Sequence, residues 1–518
     1  MKHNPSQPVY QDTPELEKAR KAFFNHEYQK SLRMFERAAK RQPHNIMALT
    51  DAARAFGQRY EIEKAAQYVE RMLILGKRNP QVRILAGQTL RMIHRADEAI
   101  PHFKAATVIG KTNPDVHIEY AVLLERRGDL SEALDQTERY LSYEQENLEA
   151  TLLKARIIRR MGRECDAKDI YQSISENSRC SHFTRAQALN EWANLEDSQG
   201  DHDGAWEKLR LSKSLISELP ESKQASARSV SERAALHHLT DSITREHFTK
   251  WASREATIDQ RSLLLTGCPR SGTTLIEKIL DAHPEIISAD ELGAFSNFIL
   301  PGLVNGKRDT QGFFNADTLD RLPPVRAKRE EKRYFRYLQD ALNEKIGNRI
   351  LVDKNPSVTF TIPVHQYVWP NNKILYALRD PRDVALSCFF RWLPINSMSV
   401  RFHSLEDTCK RTAEELECWL RLREILPEDS WHETRYENTI ADYTNESSQI
   451  LKWMNLGWHD SMTNYRTHMA KRGVNSPTYE AVTQPIYKKA QGRWENYQQH
   501  FEPVIEQLTN VIDAYGYR

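Results

Sequence analysis

The chain has 518 residues, which at about 150 residues per domain predicts roughly three domains. Its 73 Lys and Arg residues balance 71 Asp and Glu residues, and this formal charge of +2 argues against nucleic-acid binding driven by bulk charge. The sequence has no apolar run near the ~18 residues that span a bilayer, and residues 1–24 contain no apolar h-region, so we expect a cytoplasmic protein. Six dispersed cysteines without a CxxC pair predict neither disulfides nor a structural metal.

A 34-residue period runs through the N-terminal half. Small residues recur at this spacing, and a last one follows after 38 residues: Ser31, Ala65, Ala99, Ala133, Ala167 and Ala205. Mostly apolar residues four and seven positions beyond these anchors give each unit one helical face. A helix–turn–helix unit of this length resembles the tetratricopeptide repeat, and we count about six units over residues 12–224.

Repeat units of this kind bury their apolar faces only by stacking, and the stack leaves a groove for an extended peptide or a partner helix. The resemblance therefore implies a protein or peptide partner in the groove, with a purely structural solenoid as the alternative. Residues 225–257 predict a helical bridge into a second domain.

Residues 258–518 have the pattern of an α/β domain. Short apolar runs at 263–265, 286–287, 350–352 and 374–378 alternate with helical stretches. This alternation predicts a mostly parallel sheet with helices on both of its faces.

The first predicted strand leads into the loop GCPRSGTT at 267–274, which a helix follows. Backbone N–H groups and the helix dipole at such a junction form an anion site. The loop has the GxxxxG frame of a nucleotide-binding P-loop, but Thr273 stands where that motif places lysine. Because this lysine is missing, kinase or triphosphatase chemistry is disfavoured, and the cation of the loop is Arg270.

Two segments together resemble the sulfotransferases. PRSGTTLIEKIL is similar to their 5′-phosphosulfate loop, and RDPRDVALS at 379–387 is similar to their 3′-phosphate motif. The resemblance covers roughly residues 240–518 and is strongest to the tyrosylprotein sulfotransferase-like branch. It implies an α/β P-loop-like domain after the α-helical solenoid, 3′-phosphoadenosine 5′-phosphosulfate (PAPS) as the donor, and no metal.

The resemblance also implies roles for individual residues. Arg270 and Lys354 would stabilise the leaving phosphate, and Glu291 would be the catalytic base. Asp290 is the neighbouring carboxylate, and either acid could instead cap the helix that follows. The residues that would bind the donor are Pro269, Arg270, Ser271, Gly272, Thr273, Thr274, Arg379, Ser387, Tyr436, Thr478, Lys488, Lys489 and Arg493. Thr478 and Arg493 stand where the branch tends to have serine and lysine.

The expected function is transfer of a sulfuryl group from PAPS to an acceptor hydroxyl, and the branch suggests a protein tyrosine that the repeats present. Two alternatives stay open. The acceptor could be a carbohydrate or a small-molecule hydroxyl, or the chain could be a catalytically silent repeat-protein adaptor. Joint retention of the motif residues argues against silence; these are Arg270, Glu291, Lys354, Arg379 and Ser387.

Overall fold

The computed structural model describes residues 9–25, 27–93, 95–109, 114–254, 257–304, 314–342, 344–467 and 490–517. The chain divides into two compact units, Met1–Ile170 and Tyr171–Arg518. Within the described ranges, no helix is both long enough and apolar enough to cross a membrane.

The first unit consists of helices that pack in consecutive pairs, α1 with α2, α3 with α4, α5 with α6 and α7 with α8. The bounds are α1 (Pro14–Phe24), α2 (Tyr28–Arg41), α3 (Ile46–Gly57), α4 (Ile62–Gly76), α5 (Pro80–Met92), α6 (Ala96–Ile109), α7 (Asp115–Arg127), α8 (Leu130–Tyr143), α9 (Leu148–Arg160) and α10 (Glu164–Glu176), the last of which continues into the second unit. The predicted run of helical pairs is thereby confirmed.

The small anchor residues explain how these helices approach one another. Ser31, Ala65, Ala99 and Ala133 lie on the second helix of their pairs and are completely buried. Ser31 Oγ donates a hydrogen bond to the Ala19 carbonyl of the first helix at 2.8 Å. A larger side chain at these positions would separate the two helices, which is why the period is visible in the sequence.

The helices of the second unit are α11 (His182–Gln199), α12 (His202–Ser217), α13 (Pro220–Asp241), α14 (Arg245–Ala252), α15 (Thr273–Asp281), α16 (Leu300–Val304), α17 (Ala316–Asp320), α18 (Pro324–Leu342), α19 (Ile362–Val368), α20 (Pro381–Phe389), α21 (Leu405–Ile425), α22 (Tyr436–Ala441), α23 (Tyr443–Trp453), α24 (Gln498–Phe501) and α25 (Thr509–Tyr515). A π-helical turn covers Phe295–Ile299, and short 3-10 turns cover Thr359–Thr361, Ser399–Phe402, Glu428–Ser430, Asp460–Asn464, Arg493–Tyr497 and Ile505–Leu508.

A parallel sheet forms the centre of the second unit. Its strands among the described residues are β1 (Ser262–Gly267), β2 (Ile286–Ser288), β3 (Ile350–Lys354), β4 (Lys373–Leu378) and β5 (Trp431–Arg435), in the order β2-β3-β1-β4-β5. All four pairings are parallel. The four strands predicted from apolar runs are confirmed, and β5 is an additional edge strand that the sequence analysis did not predict.

The strand order creates a ligand crevice beside β1. The chain leaves β1 toward β2 on one side and leaves the neighbouring β4 toward β5 on the other, so the connections from the carboxyl ends of β1 and β4 run in opposite directions. Helix α15 starts at this point and buries Ile276, Ile279 and Leu280 in one core cluster with Leu263 and Leu265 of β1. This packing holds the N-terminus of α15 at the end of β1.

The helical pair α11–α12 packs against the α/β part of the second unit. Asn190 Nδ2 donates to the Phe390 carbonyl at 3.1 Å, and Lys213 Nζ donates to the Arg391 carbonyl at 2.9 Å. The Trp206 and Phe389 rings lie 5.3 Å apart between centroids. The domain limits at residues 224 and 257 stay predictions, while α11–α12 belongs to the same compact unit as the sheet.

Candidate active site

All strands of the sheet lead into residues that the sequence analysis assigned to the site. These residues are Arg270 after β1, Asp290 and Glu291 after β2, Lys354 at the end of β3, Arg379 after β4 and Tyr436 after β5. In a parallel sheet the carboxyl ends of the strands meet at one edge, so the candidate residues share one region. Ligands of open α/β sheets bind at this edge.

The loop after β1 turns through left-handed backbone to place the start of α15. Gly272 is the N-cap of α15 with φ of 95°, and Arg270 also has a positive φ of 70°. A Cβ atom at Gly272 would lie only 2.6 Å from Cδ2 of Tyr436. Glycine is therefore required at position 272 both by the backbone conformation and by the ring that packs against it.

The two sequence motifs meet through direct hydrogen bonds. Arg270 Nε donates to Ser387 Oγ at 2.9 Å, and Arg379 Nη1 donates to the Arg270 carbonyl at 3.0 Å. The Arg379 guanidinium lies 4.6 Å from the centroid of the Tyr436 ring, a cation–π arrangement. Four of the predicted donor-binding residues thus form one contiguous cluster, although Arg270 and Ser387 are far apart in sequence.

Lys354 lies at the centre of a group of acidic side chains. Its Nζ is 2.8 Å from Glu291 Oε1, 2.9 Å from Asp290 Oδ1 and 3.2 Å from Glu277 Oε2. The Lys354 side chain is 0% exposed. Burial lowers the pKa of Lys354, but the three carboxylates outweigh it, with Glu277 the largest contributor, and raise the pKa above its usual value. Lys354 therefore remains a cation.

The two adjacent carboxylates differ in exposure. The Asp290 side chain is 18% exposed and that of Glu291 is 31% exposed. Burial raises the pKa of Asp290, but Lys354 and Lys278 together lower it to about 2, so this acid stays charged. The helical turn that follows has Ala294 as its N-cap, so neither acid caps it. Both acids instead contact Lys354, and Glu291 is the more accessible of the two to a second substrate.

Glu277 belongs to this cluster, and the sequence analysis missed it. Its side chain is 0% exposed, and Oε1 accepts a hydrogen bond from Ser288 Oγ at 2.6 Å. Burial raises the pKa of Glu277, while Lys354 opposes this rise. The sequence did not single it out, because the residues three and four positions away on α15, Thr273, Thr274, Leu280 and Asp281, form a face of mixed polarity.

The remaining predicted donor-binding residues have different surroundings. The Arg493 guanidinium pairs with Asp197 on α11, with Nη2 and Oδ2 2.9 Å apart, and lies over the Phe390 ring. Thr478, Lys488 and Lys489 lie outside the described residues. Ser271, Thr273 and Thr274 are buried in the loop and first turn of α15, and the Pro269 carbonyl accepts from Cys388 Sγ at 3.6 Å.

The two motif segments have buried polar atoms that suit an anionic ligand. Ser271 Oγ and Arg379 Nε are buried and have no hydrogen-bond partner among the described residues. Both atoms belong to residues that the motifs assign to phosphate groups. An anion with oxygens at two places, one at the loop and one at Arg379, would satisfy these donors.

Comparisons with known proteins agree with this geometry. Residues 262–460 match the family model described as "Sulfotransferase family". An uncharacterized protein of Aquifex aeolicus is 24% identical over 262 residues, 48% of this chain and 32% of its own length. Protein-tyrosine sulfotransferase 2 of Gallus gallus is 23% identical over 254 residues, 45% of this chain and 62% of its own length.

The chain thus spans between 32% and 62% of the length of these two curated relatives. Among solved structures, the sulfotransferase domain from the curacin biosynthetic pathway is similar with a TM-score of 0.35 and 16% identity. That similarity covers 50% of this chain and 98% of the other.

Proposed function

We propose that this chain, which carries a sulfotransferase family domain over residues 262–460, transfers a sulfuryl group from PAPS to an acceptor hydroxyl. The observation that carries the proposal is the 2.9 Å hydrogen bond from Arg270 of the first motif to Ser387 of the second. PAPS has anionic groups at its 5′ and 3′ positions, so its binding needs two anion sites that belong to one cluster.

The candidate donor-binding residues that the structure describes divide between the 5′ and 3′ ends of PAPS. The loop 269–274 and the N-terminus of α15 would bind the phosphosulfate, because backbone N–H groups and the helix dipole converge there. Arg379 and Ser387 would bind the 3′-phosphate through charged and neutral hydrogen-bond donors. Tyr436 supports both ends, since its ring lies against Gly272 and under the Arg379 guanidinium.

The chemistry of the transfer follows from the cluster around Lys354. PAPS supplies the sulfuryl group and a phosphate that leaves with the bonding electron pair. Lys354 and Arg270 are cations that stabilise the negative charge on that phosphate. Glu291 accepts the proton of the acceptor hydroxyl, and its exposure lets it reach the acceptor while Lys354 holds its position.

The donor assignment predicts selectivity for a 3′-phosphate. In calorimetry with a chelator present, the protein should bind 3′-phosphoadenosine 5′-phosphate (PAP) at least ~10²-fold more tightly than adenosine 5′-phosphate (AMP), because charge-assisted hydrogen bonds contribute ~1.5–3 kcal/mol each. The variant Ser387→Ala should narrow this difference and leave AMP binding unchanged. Equal affinity for the two nucleotides, or a strict need for magnesium, would rule out PAPS as donor.

We propose a protein tyrosine as the acceptor and the helical pairs of the first unit, as tetratricopeptide repeats, as the part that binds the polypeptide. Two observations support this proposal. The Gallus gallus relative is a protein-tyrosine sulfotransferase, and the helical pairs repeat with a period of 34 residues. Stacked helical pairs present an extended surface that suits a polypeptide better than a small molecule.

The acceptor proposal predicts different effects of truncation on two substrates. Because Met1–Ile170 is a compact unit of its own, deletion of residues 1–163, which leaves α10 whole, should keep turnover of a small phenol within about threefold and lower labelling of the protein acceptor at least ~10-fold. The measurement uses radioactive PAPS with a cell extract and identifies sulfotyrosine in the labelled protein. Equal losses on both substrates would contradict a role in acceptor binding, and label on carbohydrate or small molecules would exclude tyrosine.

A further inference from the structure

We propose that the helical pair α11–α12 braces the 3′-phosphate site and that Asp197 on α11 is a positioning residue for the donor. The inference rests on the proposed function and deepens it, since it assigns part of the donor site to helices before the sheet. Three sets of contacts carry it: those of residues 490–494, of Asp197, and of the C-terminus of α20.

The first set places residues 490–494 directly on the 3′-phosphate motif. Arg379 Nη2 donates to the Ala490 carbonyl. Asp383 accepts a hydrogen bond from Gly492 N at 2.7 Å through Oδ2 and one from Trp494 N at 3.0 Å through Oδ1. The backbone of this segment therefore contacts two charged side chains of the motif, Arg379 and Asp383.

The second set fixes the same segment to α11. Asp197 accepts from Arg493 Nε at 3.2 Å and pairs with its Nη2 at 2.9 Å. The Tyr497 hydroxyl, on a fully buried ring, also donates to Asp197 Oδ1 at 2.6 Å. Asp197 is thus the common acceptor for Arg493, which lies between the two residues that contact Asp383, and for Tyr497, which follows them.

The third set holds the helix that carries Ser387. Helix α20 ends at Phe389, two residues after Ser387. Asn190 of α11 and Lys213 of α12 donate to the Phe390 and Arg391 carbonyls, which follow this end. Side chains that bind the carbonyls at and just after a helix end hold that end in place. These two contacts are hydrogen bonds and do not require a charged lysine, since burial lowers the pKa of Lys213 to about 7.

The contacts indicate how the brace affects the donor. Asp383 Oδ2 is 3.8 Å from Arg379 Nη2, and it is also the oxygen that Gly492 N contacts. While the segment occupies Asp383, Arg379 keeps its Nε, which has no hydrogen-bond partner among the described residues, for a phosphate. If the segment moves away, Asp383 approaches Arg379 and competes with the 3′-phosphate for its charge. Loss of the brace should therefore weaken the binding of nucleotides that have a 3′-phosphate and leave the binding of nucleotides without one unchanged.

The test measures PAP and AMP binding to the full chain by calorimetry. Asp197→Asn should weaken PAP binding about tenfold, the order of one charge-assisted hydrogen bond, and leave AMP binding unchanged. Asp203→Asn is the matched control, because Asp203 is exposed on α12 and accepts a hydrogen bond from Gln499 at 3.0 Å, a contact that involves neither residues 490–494 nor α20. It removes the same charge and should bind PAP as the parent does.

A second substitution separates positioning from mere support of the fold. Adding Asp383→Asn to Asp197→Asn should restore most of the PAP affinity, because it removes the carboxylate that competes for Arg379. Tyr497→Phe keeps the buried ring and removes one hydroxyl, so it should lower the affinity for PAP less than Asp197→Asn does and leave the affinity for AMP unchanged. This variant provides the same test if Asp197→Asn does not fold.

The outcomes distinguish this inference from the proposed function. If the parent protein does not prefer PAP over AMP, the proposed function is wrong and the brace with it. If the parent prefers PAP but Asp197→Asn and Tyr497→Phe keep its affinity, the brace is wrong alone. Equal weakening of PAP and AMP also overturns the brace, as does tighter PAP binding, which would mean that Asp197 withholds Arg493 from the phosphate.

Discussion

Replacing Glu291 with glutamine is expected to lower kcat by ~10²–10⁴ and to keep the affinity for PAP close to that of the parent. The amide has the same shape but cannot take the proton of the acceptor hydroxyl. It also keeps an oxygen for Lys354 Nζ, which lies 2.8 Å from Glu291 Oε1, so the lysine should retain its position. Steady-state kinetics with the identified acceptor, together with calorimetry for PAP, provide the measurement.

Asp290→Asn is the matched control for this result. Asp290 contacts the same lysine at 2.9 Å, has a left-handed φ of 55° that asparagine tolerates, and is less exposed than Glu291. We expect its turnover to fall much less. His283→Ala should also have a small effect on turnover, since His283 accepts from Glu285 N at 3.1 Å within its own turn. Retained turnover in Glu291→Gln with a large loss in Asp290→Asn would reverse the assignment of the base.

Replacing Lys354 with methionine is expected to reduce both turnover and stability. Loss of a cation at the leaving phosphate should lower kcat by ~10²–10³, the usual effect of removing one electrostatic contact to developing charge. The free energy of unfolding should fall by ~3–5 kcal/mol, because the completely buried Glu277 loses the closest of its cationic partners. Denaturant unfolding and single-turnover kinetics measure the two effects separately.

The double variant Lys354→Met, Glu277→Gln separates the two roles of the lysine. Without the charge of Glu277, most of the lost stability should return, since replacing both members of a buried pair costs little. Turnover should stay low, because no cation has been restored at the phosphate. Recovery of turnover in the double variant would show that Lys354 only supports the fold.

Local patterns in the sequence were sufficient for much of the architecture. The 34-residue spacing of small residues predicted the helical pairs, and continuous apolar runs predicted β1 to β4, because buried helix faces and buried strands leave short-range periodicity. The sequence analysis did not predict β5, because Trp431–Arg435 lies at the sheet edge and is mostly half-buried, so this strand needs no apolar run. Tyr436 was assigned by resemblance alone, while β5 explains why it lies beside the loop.

The sequence by itself determined which residue types the site contains: a glycine loop with Arg270, a second motif with Arg379 and Ser387, and acids near Lys354. Only the tertiary structure decided their partners. The strand order puts β3 between β2 and β1, and this brings Lys354 against Glu291 from one neighbour and Glu277 from the helix after the other. Such contacts depend on strand order and helix packing over many residues, which short-range patterns do not encode. For the same reason, Asp197 could be connected to the 3′-phosphate motif only once α11 was seen to pack on the segment around Arg493.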